Sequence, residues 1–194
     1  MDHNITIIDD FLKPEHFTEL KNKIISVNFP WYYNSTIVSL DPKEESINGQ
    51  YGPGQFTNIV YLKDDQYTTS PLSPLVRQLI APKINWCVLD RIKLNFQARL
   101  PTPYCAHFHT DIYPSTPGQN LSAEYVMNKF TTAILYMNTN NGYTELEDGT
   151  IVNCVENRLV TFPVKFRHRG VSQTDKQFKI VINFNYLERK SHDL

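Results

Sequence analysis

The sequence is poor in cysteine and in long apolar runs, and each shortage argues against a class of protein. Its three cysteines, Cys87, Cys105 and Cys154, are odd in number and have no paired spacing, so a disulfide framework is not expected. No apolar run approaches the roughly 20 residues that cross a bilayer, and the one near the N-terminus is shorter than the roughly 7 to 15 residues of a secretory signal. We therefore expect a protein of the reducing cytoplasm with no membrane partner.

Excess charge of one sign is also missing, because 19 basic side chains face 20 acidic ones. No segment gathers lysine and arginine into a stripe that would follow a phosphate backbone, so nucleic acid is not an expected partner. Glycine is scarce, with 7 residues against 12 prolines, and 12% of the residues are aromatic, which suits strands joined by stiff loops. A length of 194 residues with 41% apolar content predicts one domain over residues 1–194.

Apolar periodicity in about residues 1–90 predicts a short strand and two helices that support the rest of the domain. The strand is expected over Ile5–Ile8, the first helix begins at Pro14, and the second lies between Ser73 and Pro82. The residues expected on the buried faces of the helices are Phe17, Leu20, Ile24, Ile25, Leu75, Leu79 and Ile80.

Four later segments are short, rich in β-branched or aromatic residues and bounded by turn residues, which is typical of strands in a sandwich or barrel. These segments are Arg91–Arg99, Thr131–Met137, Arg158–Phe162 and Phe178–Tyr186. They predict a β-core over about residues 91–187, in a chain that is mainly β with flanking α-helices. Two long irregular segments, Leu40–Asn58 and Ile112–Glu124, are predicted to be loops that cover a pocket or move.

The most informative motif is His109-Thr110-Asp111, because two side chains separated by one residue on an extended strand project from the same face. His168 follows in a turn between two predicted strands. Two imidazoles and one carboxylate that leave coordination positions open form the ligand set of non-haem Fe(II) oxygenases. A His-x-Asp triplet alone is a weak signal, so the predicted metal site depends on the order of the triplet, His168 and the later Lys179.

Other interpretations of these residues remain open. His107 shares the strand face of His109, but three protein ligands suffice, so we expect His107 beside the metal or facing substrate. Cys105, His107, His109 and Cys154 are types that bind structural zinc, although no Cys-x-x-Cys pair supports such a site. A surface or capping role is the alternative for His109, and a solvated basic turn is the alternative for His168.

These motifs resemble the Fe(II)/2-oxoglutarate-dependent dioxygenases, and within them the prolyl 4-hydroxylase-like branch, over most of the chain. His109, Asp111 and His168 fall where that family's His-x-Asp…His iron ligands stand. Other segments similar to the family are Ile7–Leu12, Pro30–Tyr33, Thr131–Asn138, Gly142–Gly149 and Asn157–Pro163. The resemblance implies a double-stranded β-helix, which is a cupin-like jelly roll, with Fe(II) as cofactor and 2-oxoglutarate and O2 as co-substrates.

The resemblance also implies which residues hold 2-oxoglutarate. Lys179 stands at the family's basic anchor position, where arginine is commoner, and Tyr136 matches the tyrosine whose hydroxyl meets the distal carboxylate. Alternation places Asn183 on the strand face of Lys179, which should line the cavity. Asn95 and Gln97 share a face of an earlier strand, and we expect them either to contact co-substrate or substrate or to be exposed edge positions.

Hydroxylation of a substrate C–H bond is the implied reaction, because the related halogenases lack the carboxylate that Asp111 provides. The substrate is expected to be a peptidyl proline or a small amino-acid-like molecule, with Tyr113, Trp31 and Gln97 as candidate contacts. Aromatic clusters such as the one at Trp31 are also common in cores. The alternative function is a non-catalytic cupin-type module that binds a metal or ligand, and a nucleic-acid repair oxygenase is disfavoured by the balanced charge.

Overall fold

The computed structural model describes residues 5–35, 53–63, 70–84, 86–112 and 123–189. In chain order the elements are β1 (Thr6–Ile8), α1 (Pro14–Ile24), β2 (Tyr32–Asn34), β3 (Gln55–Leu62), α2 (Ser73–Leu75, followed by a π-helical turn over Val76–Ile80), β4 (Trp86–Ala98), α3 (Ala123–Lys129), β5 (Phe130–Tyr136), β6 (Tyr143–Leu146), β7 (Ile151–Asn153), β8 (Leu159–Pro163), β9 (His168–Val171) and β10 (Phe178–Glu188). The chain is mainly β, as its sequence predicts.

The described strands form two antiparallel sheets. The larger sheet has seven strands in the order β1-β8-β5-β10-β4-β3-β2, and the smaller has three in the order β7-β6-β9. β10 lies between β5 and β4, and its pairing with β4 runs from Phe178↔Ala98 to Glu188↔Trp86. The long strand β10 therefore lies at the centre of the larger sheet.

Alternation along β10 separates an apolar face from a polar one. Ile180, Ile182, Phe184 and Tyr186 lie in the main core, which also contains the buried face of α1. The opposite face of the large sheet packs partly against the small sheet in a second core, which contains Tyr136, Phe162 and Leu146. This division agrees with the period of two that the sequence of β10 shows.

Several element ends differ from the sequence predictions, among them the end of α1 and the start of β4. α1 ends at Ile24, so Ile25 is 48% exposed and does not belong to the buried face. β4 begins five residues before Arg91, at Trp86, because its pairing with β10 continues through irregular registers near Leu89 and Trp86. No helix in the described ranges is long and apolar enough to cross a membrane.

Both predicted loops end before their predicted C-terminal bounds. β3 begins at Gln55, inside the segment Leu40–Asn58, and α3 begins at Ala123, inside the segment Ile112–Glu124. Buried Gln55 and Asn58 give β3 a polar inner pattern, which hides the strand from a search for apolar alternation. Residues 36–52 and 113–122 lie outside the described part of the chain.

Candidate metal centre

The site is built where the segment after β4 meets the start of β9. Residues 105–109 contact β9 through two isolated bridges, Cys105↔Val171 and His109↔His168, and do not form the full strand that the sequence predicts. The backbones of His109 and His168 exchange two hydrogen bonds of 3.0 and 2.9 Å. This exchange sets the two imidazole rings side by side, with their centroids 4.7 Å apart.

Asp111 completes the group. Its Oδ1 lies 3.9 Å from Nε2 of His109, and its Oδ2 lies 3.9 Å from Nε2 of His168. One ligand atom from each of the three residues lies within 4.8 Å of the other two. Two imidazole nitrogens and one carboxylate oxygen on one side of a cavity suit a divalent transition metal with open coordination positions.

Neighbouring groups orient the three side chains. Nδ1 of His109 lies 3.0 Å from the carbonyl oxygen of His107, so Nδ1 carries the proton and the lone pair of Nε2 faces the site. Asn185 on β10 donates a hydrogen bond of 3.2 Å to Oδ2 of Asp111. The Arg91 guanidinium lies 2.9 Å from Oδ1 of the same carboxylate. His107 therefore contacts the ligand group through its backbone carbonyl, and the role of its side chain beside the metal or toward substrate stays a prediction.

Burial and charge act on the ionisation of this group in opposite directions. Burial alone would raise the pKa of Asp111, but Arg91 and the two imidazoles hold it well below the usual value. Burial lowers the pKa of His168 to about 4, although Asp111 opposes the shift. At neutral pH the site therefore offers a carboxylate and a neutral His168 ring, which are the forms that bind metals.

The metal-ligand group opens into a cavity of about 420 Å³ between the sheets. Lys179 of β10 lines it and is only 6% exposed. Its ammonium donates a hydrogen bond of 2.7 Å to the carbonyl oxygen of Val171, and burial lowers its pKa. Nothing in the described ranges places a carboxylate against this ammonium. Within the described residues, the cavity therefore contains a buried cation that is not paired with a carboxylate.

Two other basic residues, Arg167 and Arg169, flank His168, and both have partners outside the cavity. Arg167 donates a hydrogen bond of 2.7 Å to the carbonyl oxygen of Phe108. Arg169 forms an ion pair of 2.8 Å with Glu145 and stacks on the Phe108 ring. Neither side chain lines the cavity.

The remaining predicted residues divide into two groups. Asn95, Gln97 and Asn183 line the cavity, and the side-chain oxygen of each is buried without a hydrogen-bond partner in the described structure. Tyr136 is buried behind the lining, where its hydroxyl donates a hydrogen bond of 2.8 Å to Oγ1 of Thr144. Thr144 itself lines the cavity, so the hydroxyl that reaches this space belongs to the threonine.

Trp31 and Tyr113 are not brought to this cavity. Trp31 packs against Phe29 and Phe96, with centroids 5.0 and 5.4 Å away, beside the main core on the other face of the large sheet. Tyr113 lies outside the described residues. The alternation of β4 also places Arg91 and Lys93 in the lining, and sequence reasoning missed both, although they share the face of Asn95 and Gln97.

The zinc interpretation finds no support in this geometry. Cys105 is exposed, Cys154 is buried in the second core, and neither belongs to the group of described residues that can hold a metal. Burial raises the pKa of the Cys154 thiol to about 11, so it is not a ready thiolate ligand.

No protein-family model and no curated protein matches the sequence. Among solved structures, a 2OG-Fe(II) oxygenase family member from Burkholderia pseudomallei matches with a TM-score of 0.63 at 8% identity, over 95% of this chain and 86% of that chain. A prolyl hydroxylase from Trichoplax adhaerens, in complex with a hypoxia inducible factor peptide fragment, matches with a TM-score of 0.55 at 16% identity, over 96% and 84%. A non-heme alpha-ketoglutarate-dependent carbocyclase from nogalamycin biosynthesis matches with a TM-score of 0.58 at 11% identity, over 96% and 80%. The chain therefore has the jelly-roll fold of the 2-oxoglutarate- and Fe(II)-dependent oxygenases.

Proposed function

We propose that this chain is an Fe(II)- and 2-oxoglutarate-dependent oxygenase that hydroxylates a C–H bond. The observation that carries the proposal is the presence, in one cavity, of the ligand group His109, Asp111 and His168 and of the buried Lys179. Burying an ammonium without a counter-charge costs free energy. Metal binding alone would not require such a group. A co-substrate with a free carboxylate supplies the missing charge.

The residues take distinct roles in this proposal. His109, Asp111 and His168 would hold the iron, and Lys179 would pair with the distal carboxylate of 2-oxoglutarate, with the Thr144 hydroxyl beside it. The bound iron supplies O2 activation coupled to the conversion of 2-oxoglutarate to succinate and CO2. The protein's own contribution is to orient the ligands, keep water out of the cavity and aim the substrate at the metal.

Hydroxylation is the outcome that the ligand group favours. Asp111 is fixed by Arg91 and Asn185 and is ionised at neutral pH, so it is a permanent ligand. A third protein ligand occupies the position where a halide would bind in a halogenating relative. We propose that the activity resides in one domain, whose catalytic core spans about residues 91–187, in the cytoplasm, where a reducing environment keeps both iron ferrous and the three free cysteines reduced.

The substrate is proposed to be a peptidyl proline or a small amino-acid-like molecule. The solved structures of this fold include a prolyl hydroxylase with a bound peptide fragment and a carbocyclase, so the fold alone does not select between substrate classes. Gln97, Asn95 and Asn183 support a polar substrate, because their unpartnered oxygens line the cavity.

The test is iron-dependent formation of succinate from 2-oxoglutarate by the purified protein in the presence of O2. We expect Asp111→Ala and His168→Ala to abolish this turnover while the proteins remain folded, with Asp175→Ala, which changes an exposed carboxylate, as the matched control. Succinate formation that persists in either ligand variant would overturn the ligand assignment. A wild-type protein that binds metal but makes no succinate would favour the cupin-type binding module.

A further inference from the structure

The cavity carries more positive charge than the proposed co-substrate neutralises. Among the described lining residues, Arg91, Lys93 and Lys179 are cations and Asp111 is the carboxylate, which leaves an excess of two positive charges. Fe(II) and the dianion of 2-oxoglutarate cancel one another. Two positive charges would therefore remain beside the position where the substrate must bind.

Among the described cations of the cavity lining, Lys93 is the one whose side chain has no hydrogen-bond or ion-pair partner in the described structure. The Arg91 guanidinium already pairs with Asp111, and Lys179 serves the co-substrate in the proposed function. Lys93 lies opposite Asn183 on β10 and Ile59 on β3, and its side chain forms no hydrogen bond or ion pair with any described residue. Burial lowers its pKa and Arg91 lowers it further, although Asp111 opposes the shift. A half-buried ammonium that no carboxylate of the described chain satisfies is suited to a ligand's anion.

The side chains next to Lys93 are also polar, and two of them have no hydrogen-bond partner among the described residues. Asn95 is two residues further along the same face of β4, and Asn183 lies directly across from Lys93 on β10. Both side-chain oxygens are buried and have no hydrogen-bond partner among the described residues, and Asn183 is only 8% exposed. Buried polar groups normally find partners within the protein, so these oxygens match hydrogen-bond donors on a bound molecule.

We propose that the primary substrate carries an anionic group, a carboxylate or a phosphate, that binds to the Lys93 ammonium beside Asn95 and Asn183. This inference rests on the proposed function and narrows its substrate class. A small free acid, such as an amino acid with an uncharged side chain, satisfies Lys93, whereas a proline inside a peptide brings no charge at that position. The net positive charge of the cavity therefore favours an anionic substrate over a neutral one.

The test uses the full chain loaded with Mn(II) and saturating 2-oxoglutarate in the absence of O2, so that binding is measured without turnover. The probes are the common L-amino acids, their matched carboxamides, inorganic phosphate and an end-blocked peptide with an internal proline, each titrated by calorimetry. We expect at least one amino acid or phosphate to bind. An amino acid that binds should have an affinity about tenfold or more higher than that of its carboxamide, as expected for a charge-assisted contact. Whether a carboxylate or phosphate binds identifies the source of the anion.

Variants of Lys93 make the assignment specific. Lys93→Met should reduce the affinity for the anionic probe by about tenfold or more, Lys93→Arg should retain most of it, and exposed Lys176→Met is the matched control. Retained affinity for 2-oxoglutarate in Lys93→Arg shows that the fold survives at this position. Three outcomes would overturn the inference: no anionic probe binds better than the neutral ones, Lys93→Met binds the anion as the wild type does, or Lys93→Met weakens only 2-oxoglutarate. Failure of the proposed function is seen separately, as a wild-type protein that forms no succinate with iron.

Discussion

Replacing Lys179 with methionine separates its role as a ligand from any role in stability. The methionine side chain has nearly the length of lysine but no charge, and Lys179 is 6% exposed with one hydrogen bond, of 2.7 Å, to the Val171 carbonyl. A hydrogen bond to a charged group contributes about 1.5 to 3 kcal/mol. Loss of the proposed contact between the ammonium and the distal carboxylate should therefore raise the dissociation constant for 2-oxoglutarate by about tenfold to a hundredfold.

The same substitution should cost the folded protein little. The buried ammonium has no carboxylate partner among the described residues, so removing it also removes a desolvation cost. We expect the free energy of unfolding to stay within about 1 kcal/mol of the wild type. Calorimetric titration of the Mn(II)-loaded protein measures the affinity, and urea denaturation measures the stability, with Lys176→Met as control. An unchanged affinity for 2-oxoglutarate would refute Lys179 as the anchor.

Three further predictions follow from the same geometry. The metal-free protein should lose up to about 3 kcal/mol of stability as the pH falls from about 6.5 to about 4, because His168 is protonated in that window in the unfolded chain but not in the folded one. Urea denaturation should show a flatter pH dependence of stability in His168→Gln, and an equally steep one would contradict the lowered pKa of His168. Asn185→Ala should weaken Mn(II) binding by about tenfold to a hundredfold, since Asn185 orients the ligating carboxylate, whereas Asn183→Ala on the same strand face should leave metal affinity intact. Thr144→Val should weaken 2-oxoglutarate binding more than Tyr136→Phe does, because the threonine lines the cavity and the tyrosine lies behind it; the reverse order in calorimetry would restore the tyrosine as the direct contact.

The sequence predicted the parts of the site that depend on local periodicity. β10 alternates between apolar and polar residues without interruption, so its pattern correctly assigned Lys179 and Asn183 to the cavity and Ile182 to the core. The pairing of His109 with His168 was predicted only through family resemblance, because it depends on a bridge between segments 59 residues apart. Periodicity alone contains no information about such distant contacts.

The residues that sequence reasoning misplaced are those whose surroundings other segments decide. Trp31 precedes a three-residue strand at the edge of the sheet, too short for alternation to define a face, and its packing on Phe96 sets its position. Tyr136 was matched by motif to the co-substrate, but Thr144, from the facing small sheet, lies between its hydroxyl and the cavity. The alternation of β4 indicates that Lys93 shares the face of Asn95 and Gln97, but no motif of the family includes this position, so the sequence alone does not single it out.

The register of β4 against β10 explains how this chain can have a common fold and yet a cavity lined by its own set of side chains. A slip of one residue would turn Ile92 and Leu94, which are almost completely buried, toward the cavity and would turn Lys93 into the apolar core. The core side therefore fixes the register, and the side chains on the cavity side are free to vary without moving the strand. Substitutions there change the charge and hydrogen bonding that a ligand meets while the backbone stays in place. This is why a chain only 8% to 16% identical to oxygenases of this fold can share their architecture and still place its own lysine and carboxamides around the cavity.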